Sequence, residues 1–186
     1  MDVERRLRRR HDSLPMHLRA RWALEAVHGV MLLHANGIIH CDIWPQNVGL
    51  DASLGVRIMD FGGSALGDLK PLLMENSRFS MPGASWEDYG VVTDCYALGS
   101  SLYETVTGFQ PYETLGYTND DGIEAQTIRK CWHGKFATAA DVLASLKLEA
   151  IETFDEENVK WIEEASGVPL GPVVKDVNVV VVKSHL

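Results

Sequence analysis

Three polar side chains in the first third of the sequence have the types and the spacing that phosphoryl transfer requires. Asn47 follows Asp42 by five positions, and Asp60 follows Asn47 by thirteen. In such a site one carboxylate accepts the proton of the substrate hydroxyl, while an amide and a second carboxylate hold the Mg²⁺ ions that bridge the nucleotide phosphates. The sequence therefore predicts Asp42 as the base, and Asn47 and Asp60 as the residues that bind Mg²⁺ and, with it, ATP. The alternative is that these residues cap turns in an unrelated domain.

The composition is that of one ordinary globular domain. The chain has 186 residues, of which 46% are hydrophobic and 23% are charged, and this is enough for a single well-formed core. The net charge of −9 argues against nucleic acid or an anionic membrane surface as the main partner. No apolar run approaches the roughly 18 residues that a membrane span needs, so we expect a protein partner or a protein substrate.

The cysteines predict an intracellular protein. Cys41, Cys95 and Cys131 are widely spaced and form no CxxC pair, so neither a disulfide framework nor a zinc site is indicated. The basic stretch at residues 4–11 is interpreted as a solvated face, although a nuclear-import or acidic-partner patch is the alternative. We therefore expect a cytoplasmic rather than a nuclear location.

The elements that must position the three polar residues are a long helix and a hairpin. Ser13 is a plausible N-cap, and Asn36-Gly37 is a good stop. Between them apolar residues recur at helical spacing: Leu18, Trp22, Ala26, Val30 and Leu33. Residues 38–39 suit a short strand, and residues 48–50 and 56–59 are typical of a β-hairpin. Such a hairpin places Asn47 and Asp60 together at one end.

Helices dominate the rest of the prediction. An apolar helix begins at Asp94, which taken alone is an N-cap, and ends at Thr107-Gly108. Two further helices are expected at residues 123–132 and 137–150, and an acidic one at 151–165. Residues 177–182 are a β-prone run of the kind that pairs with a sheet edge. Trp132 is predicted to be a core residue rather than a site residue.

The motif and its surroundings resemble the eukaryotic protein kinases, in particular the small kinase-like proteins found in fungal genomes. The match rests on six residues in order: His40, Asp42, Asn47, Asp60, Phe61 and Gly62. The resemblance implies an α+β fold, mainly α-helical, that forms the large C-terminal lobe of a kinase with a short catalytic-loop hairpin and without the small N-terminal lobe. The implied domains are a basic segment (1–14), the kinase-like lobe (15–150), and an acidic helix with a valine-rich tail (151–186).

The resemblance also implies roles for individual residues. Phosphoryl transfer from ATP to Ser or Thr hydroxyls of proteins would use Asp42 as the base and Asn47 and Asp60 as Mg²⁺ ligands. His40, Phe61 and Gly62 would support the site. Asp94 would hydrogen-bond backbone amides of the catalytic loop (residues 40–47). Residues 62–83 resemble an activation segment, in which Ser77 and Ser80 are candidate phosphorylation sites.

Several positions depart from the family pattern and leave other functions open. Cys41 stands where an Arg is common, Trp44 where a Lys or Arg is common, and Gly49 where an aliphatic residue packs beneath the adenine. The sequence shows no Gly-rich loop, strand Lys or helix Glu. The alternatives are an inactive pseudokinase or relict lobe that binds proteins and self-associates through its exposed surface, a piece of a longer kinase, and a small-molecule phosphotransferase. The Asp94 element favours a protein kinase over the last of these.

Overall fold

The protein was analysed as a computed structural model that describes residues 13–111 and 126–170. Helix α1 spans Met16–Ala35 and ends at Asn36, followed by Gly37 with a φ of 71°, so the predicted stop is confirmed. The predicted N-cap is wrong, because Pro15 precedes the first turn and no side chain caps it. The fixed φ of proline directs the chain into the helix instead.

Four short strands follow helix α1 and form two separate sheets. Strand β1 (Ile38–Ile39) pairs antiparallel with β4 (Ala65–Leu66), and β2 (Val48–Leu50) pairs antiparallel with β3 (Val56–Ile58). The predicted hairpin is therefore confirmed, with Val48 opposite Ile58. Strand β4 lies in a stretch that the sequence suggests is a loop. The backbone of Ile38–Ile39 supplies the pairing partner, which no local pattern reveals.

The remaining elements are helical. They are α2 (Val91–Thr107), α3 (Gln126–Trp132), α4 (Ala139–Thr153) and α5 (Glu156–Ser166). Helix α2 begins three residues before the predicted start, because Gly90 is the N-cap and the Thr93 hydroxyl bonds to the Gly90 backbone. The basic stretch at residues 4–11, the start of the helix predicted at 123 and the run at 177–182 lie outside the described residues.

The core lies where α1, α2 and α4 meet. Its fully buried side chains include Leu24, Val27, Leu98, Leu102 and Val142. A smaller cluster fixes the hairpin on α1 and consists of Leu14, Trp22, Ala26, Val48 and Val56. Ile162 of α5 is fully buried in the main core, so the acidic helix shares the core of the preceding helices. The protein is thus a mainly helical α+β structure, as predicted.

Two further predictions concern single side chains and the membrane. Trp132 packs 5.6 Å from Tyr103 and its indole nitrogen donates to Ser100, so its assignment to the core is confirmed. The three cysteines are free and buried. No helix among the described residues has the length and apolar character needed to cross a membrane.

Gly99 allows α2 and α3 to touch, and this contact gives a test of the packing. An added Cβ at Gly99 would lie 2.4 Å from the Cβ of Cys131, so one of the helices must move. We expect Gly99→Ala to lower the free energy of unfolding by about 1–3 kcal/mol, despite the better helix propensity of alanine. Urea unfolding checks this. The control is Glu152→Ala, at an exposed position of helix α4 away from this contact. Equal stability of Gly99→Ala and the wild type would contradict the packing.

Candidate active site

The loop between β1 and β2 brings two of the predicted site residues into direct contact. The sequence Pro45–Asn47 turns as one short 3₁₀ helix and directs the buried Asn47 side chain back toward Asp42. Asn47 Nδ2 donates to the Asp42 carbonyl oxygen at 2.9 Å and to Asp42 Oδ2 at 2.7 Å. The predicted base is therefore held in place by the predicted metal-binding amide.

The end of the hairpin places Asp60 beside this pair. The Met59 N–H donates to the Asn47 carbonyl oxygen at 2.8 Å, so the next residue, Asp60, lies within one position of Asn47 across the ribbon. Asp60 has a left-handed backbone with a φ of 61°, which aspartate tolerates better than most residues. Its carboxylate is exposed, in contrast to Asn47.

His40 connects the catalytic loop to the end of the hairpin. Its side chain is fully buried, and its Nδ1 accepts a hydrogen bond from the Asp42 N–H at 3.3 Å. Its Nε2 lies 2.9 Å from the Met59 carbonyl oxygen, to which an Nε2 hydrogen would donate. The Phe61 ring packs 5.3 Å from the imidazole. The His40 side chain thus joins Asp42 to Met59, the residue that precedes Asp60.

Asp94 ties the same loop to helix α2. Its carboxylate is fully buried and accepts hydrogen bonds from the His40 N–H at 2.8 Å and the Cys41 N–H at 2.9 Å. His34 Nε2 lies 2.9 Å from the same carboxylate. Asp94 lies in the first turn of α2, where the helix dipole favours negative charge. Asp94 is not the N-cap of α2. Its oxygens accept hydrogen bonds from the catalytic loop rather than from the first turn of the helix.

His34 is a residue of this site that was not predicted from the sequence. This residue follows Val30 by four positions and therefore lies on the apolar face of α1. A polar residue on an apolar face must find a partner when it is buried. The position of His34 on the apolar face therefore indicates a buried partner. It does not identify that partner as Asp94, which is distant in sequence.

Cys41 occupies the position between His40 and Asp42 without supplying a charge. Its side chain is almost fully buried, and burial together with the nearby Asp94 raises the pKa of the thiol to about 12. The thiol is therefore neutral at physiological pH. Its backbone has a φ of 64°, a strained conformation for a residue with a side chain, which the two Asp94 hydrogen bonds around it help to hold.

Glu75 is a second residue that the sequence did not single out. It comes from the activation segment and is half-buried beside the catalytic loop. Burial, with added repulsion from Asp94 and Asp42, raises the pKa of its carboxyl to about 7. No sequence pattern marks it, because the groups that surround it come from other elements.

Two departures from the family pattern acquire a structural explanation. The Trp44 ring lies 6.0 Å from that of the fully buried Phe79, so Trp44 packs the loop against the activation segment. At Gly49 an added Cβ would lie 2.6 Å from the Met59 sulfur. The Met59 side chain therefore occupies the space that a larger residue at position 49 would fill, and it presents its own apolar surface, 40% exposed.

The activation segment is bonded to the catalytic loop near its start and forms a tight turn near its end. Near its start, Ser64 Oγ donates to the His40 carbonyl oxygen at 3.1 Å. Near its end, the Asn76 carbonyl oxygen accepts from the Phe79 and Ser80 N–H groups at 2.7 and 2.9 Å. Ser77 is exposed and Ser80 is half-buried.

The residues present fit Mg²⁺. Asn47 uses its amide nitrogen for Asp42, which leaves the amide oxygen as a ligand atom, and the Asp60 carboxylate is open to solvent. Mg²⁺ prefers such hard oxygen ligands and commonly takes only one or two from the protein when phosphates supply the others. Among the described residues, no group of three or more His, Cys, Asp and Glu side chains forms a metal site of its own.

We expect Asp94→Asn to destabilise the protein. An amide side chain has one acceptor oxygen and one NH₂ group, so it cannot accept from both the His40 and the Cys41 N–H in the present geometry. A buried N–H without an acceptor costs about 1–3 kcal/mol, and urea unfolding should show a loss of this size. Asp68→Asn, at an exposed position, is the control. A variant as stable as the wild type would show that the carboxylate is dispensable.

Comparison with known proteins places this geometry in a family. The profile of the protein kinase domain matches residues 1–162. A probable serine/threonine-protein kinase from Dictyostelium discoideum is 35% identical over 55% of this chain, but over only 12% of its own length. Serine/threonine-protein kinase GIN4 from Saccharomyces cerevisiae is 31% identical over 69% of this chain and 11% of its own length.

A plant protein kinase is also similar to this chain. Serine/threonine-protein kinase RUNKEL from Arabidopsis thaliana is 34% identical over 52% of this chain and 8% of its own length. The chain thus spans about a tenth of the length of these relatives. Because the family profile covers most of the chain, and because the loop, the hairpin and Asp94 form one connected site, the chain belongs to the protein kinase domain family.

Proposed function

We propose that this chain contributes the catalytic half of a protein kinase that transfers a phosphoryl group from ATP to Ser or Thr hydroxyls of proteins. The similarity to serine/threonine-protein kinases supports this substrate class. The described residues would form the large lobe of the kinase domain, with the acidic helix α5 as part of it. A particular relationship to the fungal kinase-like proteins is a prediction that relatives from a slime mould, a yeast and a plant leave open.

One observation carries the proposal. Asn47 donates to the Asp42 carboxylate, and through its own carbonyl oxygen it accepts from Met59. A base, an amide and the position of a second carboxylate are therefore joined by consecutive hydrogen bonds. Phosphoryl transfer depends mostly on positioning and on neutralising charge, so this preorganised arrangement is what the reaction needs from the lobe.

The residues would divide the chemistry as follows. Asp42, held by Asn47, would accept the proton of the substrate hydroxyl. Asn47 and Asp60 would hold Mg²⁺, which neutralises charge on the ATP phosphates when it is bound. Met59 would offer apolar surface where Gly49 cannot, and we infer that the base of the nucleotide packs there. Trp44 supplies no cation, so we expect the transferred phosphoryl group to be less stabilised than it would be beside a lysine.

The protein partner would use an apolar face close to the site. Large side chains there are more than a third exposed, and they are Phe61, Leu66, Leu69, Leu72 and Leu73. Exposed apolar patches commonly mark contacts with other proteins. Self-association would use the same face. A purely binding role is not favoured, because the similar proteins are named as kinases.

A thermal-shift titration with ATP tests the proposal without requiring turnover. A ligand that binds only the folded state stabilises it by about 2.7 kcal/mol at a hundredfold excess over its dissociation constant. We expect ATP with Mg²⁺ to raise the unfolding temperature of the wild type and to have little effect on Asp60→Ala. The matched control is Asp68→Ala, an exposed aspartate in the activation segment, which should respond like the wild type.

A second variant separates the base from the metal ligands. Asp42→Asn keeps an oxygen for the Asn47 amide, so we expect it to retain the Mg²⁺-dependent shift while losing any phosphoryl transfer to a Ser/Thr peptide. The absence of a shift in the wild type up to millimolar ATP would contradict the proposal. A shift that survives in Asp60→Ala would contradict the metal role of Asp60.

A further inference from the structure

We propose that Glu75 is a proton-dependent latch of the activation segment, which is docked on the catalytic loop while the carboxyl carries a proton and leaves it when the carboxyl ionises. The proposal concerns the position of the segment, so it holds whether or not the chain catalyses phosphoryl transfer. Its basis is the location of Glu75, one unpartnered oxygen and the charges around it.

The location of Glu75 couples it to the anchor of the segment. Asn76, the next residue, accepts two backbone hydrogen bonds from Phe79 and Ser80 and so closes a tight turn. Phe79 is fully buried and packs against Trp44 of the catalytic loop. Movement of the Glu75 side chain out of its site would therefore displace the adjacent turn at residues 76–80, which anchors the segment.

The buried, unpartnered oxygen of Glu75 suits the protonated carboxyl. Its Oε1 is buried and has no hydrogen-bond partner among the described residues. Its contacts with its own backbone N–H and with the Thr93 hydroxyl favour the ionised form, but burial outweighs them and raises the pKa. An ionised carboxylate needs hydrogen-bond donors at both oxygens, and burying one without them is costly. Burial of the neutral carboxylic acid costs much less free energy, because it carries no charge.

The groups that face Glu75 from the packed elements are acidic or neutral. Helix α2 contributes Thr93 and the Asp94 carboxylate, and the catalytic loop contributes Asp42 and the Cys41 thiol. His34 of α1 lies against the far side of this group, bonded to the Asp94 carboxylate. The catalytic loop, residues 40–47, contains no Lys or Arg that could pair with an ionised Glu75.

The direction of the pH dependence follows from these contacts. Docking raises the pKa of Glu75 from its ordinary value of 4.5 to about 7. Below about pH 4.5 the carboxyl is protonated in both positions of the segment, and docking is at its strongest. Between about pH 4.5 and pH 7, the Glu75 carboxyl ionises in the released segment but stays protonated in the docked segment. Docking therefore weakens as the pH rises through this range. The full difference corresponds to a change of about 300-fold in the docking equilibrium.

Hydrogen–deuterium exchange of the full chain, without nucleotide, measures the latch. Peptides that cover residues 71–80 would be followed at pH 5.5 and pH 8, with rates corrected for the intrinsic pH dependence of amide exchange. We expect protection to fall at least tenfold at the higher pH in the wild type. Glu75→Gln keeps the shape but cannot ionise, so its protection should stay high at both values. Glu87→Gln, at an exposed position, should behave like the wild type.

Two results would overturn the latch. One is corrected protection of residues 71–80 that is equal at both pH values in the wild type, a comparison that needs no variant to fold. The other is a Glu75→Gln protein, folded by circular dichroism, that keeps the pH dependence of the wild type. Neither result bears on ATP binding, so failure of the latch and failure of the proposed function are separable.

Discussion

The buried carboxylate of Asp94 is the constraint on which the site depends. It accepts hydrogen bonds from two consecutive backbone amides, those of His40 and Cys41, and it contacts His34 as well. The end of α1, the catalytic loop and the start of α2 are thereby joined at one charged group. A buried carboxylate requires such partners, and a loop without regular pairing requires such an acceptor. The loop amides supply the donors that the carboxylate needs, and the carboxylate supplies the acceptor that the amides need.

The hairpin extends this constraint to the residues that would do the chemistry. His40, placed by Asp94, reaches the Met59 carbonyl oxygen, and the Met59 N–H reaches Asn47. Asn47 in turn holds Asp42. The predicted site residues are therefore positioned by a continuous series of hydrogen bonds that begins in the helical core. Asp60, at the open end of the hairpin, remains accessible to a metal ion and its phosphates.

Short-range patterns were sufficient for part of this structure. The spacing of Asp42, Asn47 and Asp60 identified the loop and hairpin, because a motif with fixed intervals is visible in one stretch of sequence. The start of α2 was misplaced, since the Gly90 cap uses backbone groups and the Thr93 hydroxyl and leaves Asp94 free for the loop. Strand β4 was missed because its partner lies about 27 residues earlier.

The parts that sequence reasoning missed are those in which distant residues decide a local property. The raised pKa of Glu75 arises from burial beside Asp94 and Asp42, and the loss of bulk at Gly49 is offset by Met59. Neither is visible until the chain is folded. Such compensations are expected at functional sites, where local rules give way to the geometry of the site.

Native-state hydrogen exchange at the amides of His40 and Cys41 tests the central role of Asp94 most directly. Amides that open only by global unfolding exchange with the full free energy of unfolding, whereas locally mobile loops exchange with much less. If Asp94 fixes the catalytic loop, both amides will show opening free energies equal to those of core amides in α2, such as that of Leu98. Opening energies several kcal/mol lower, with α2 still protected, would contradict this account.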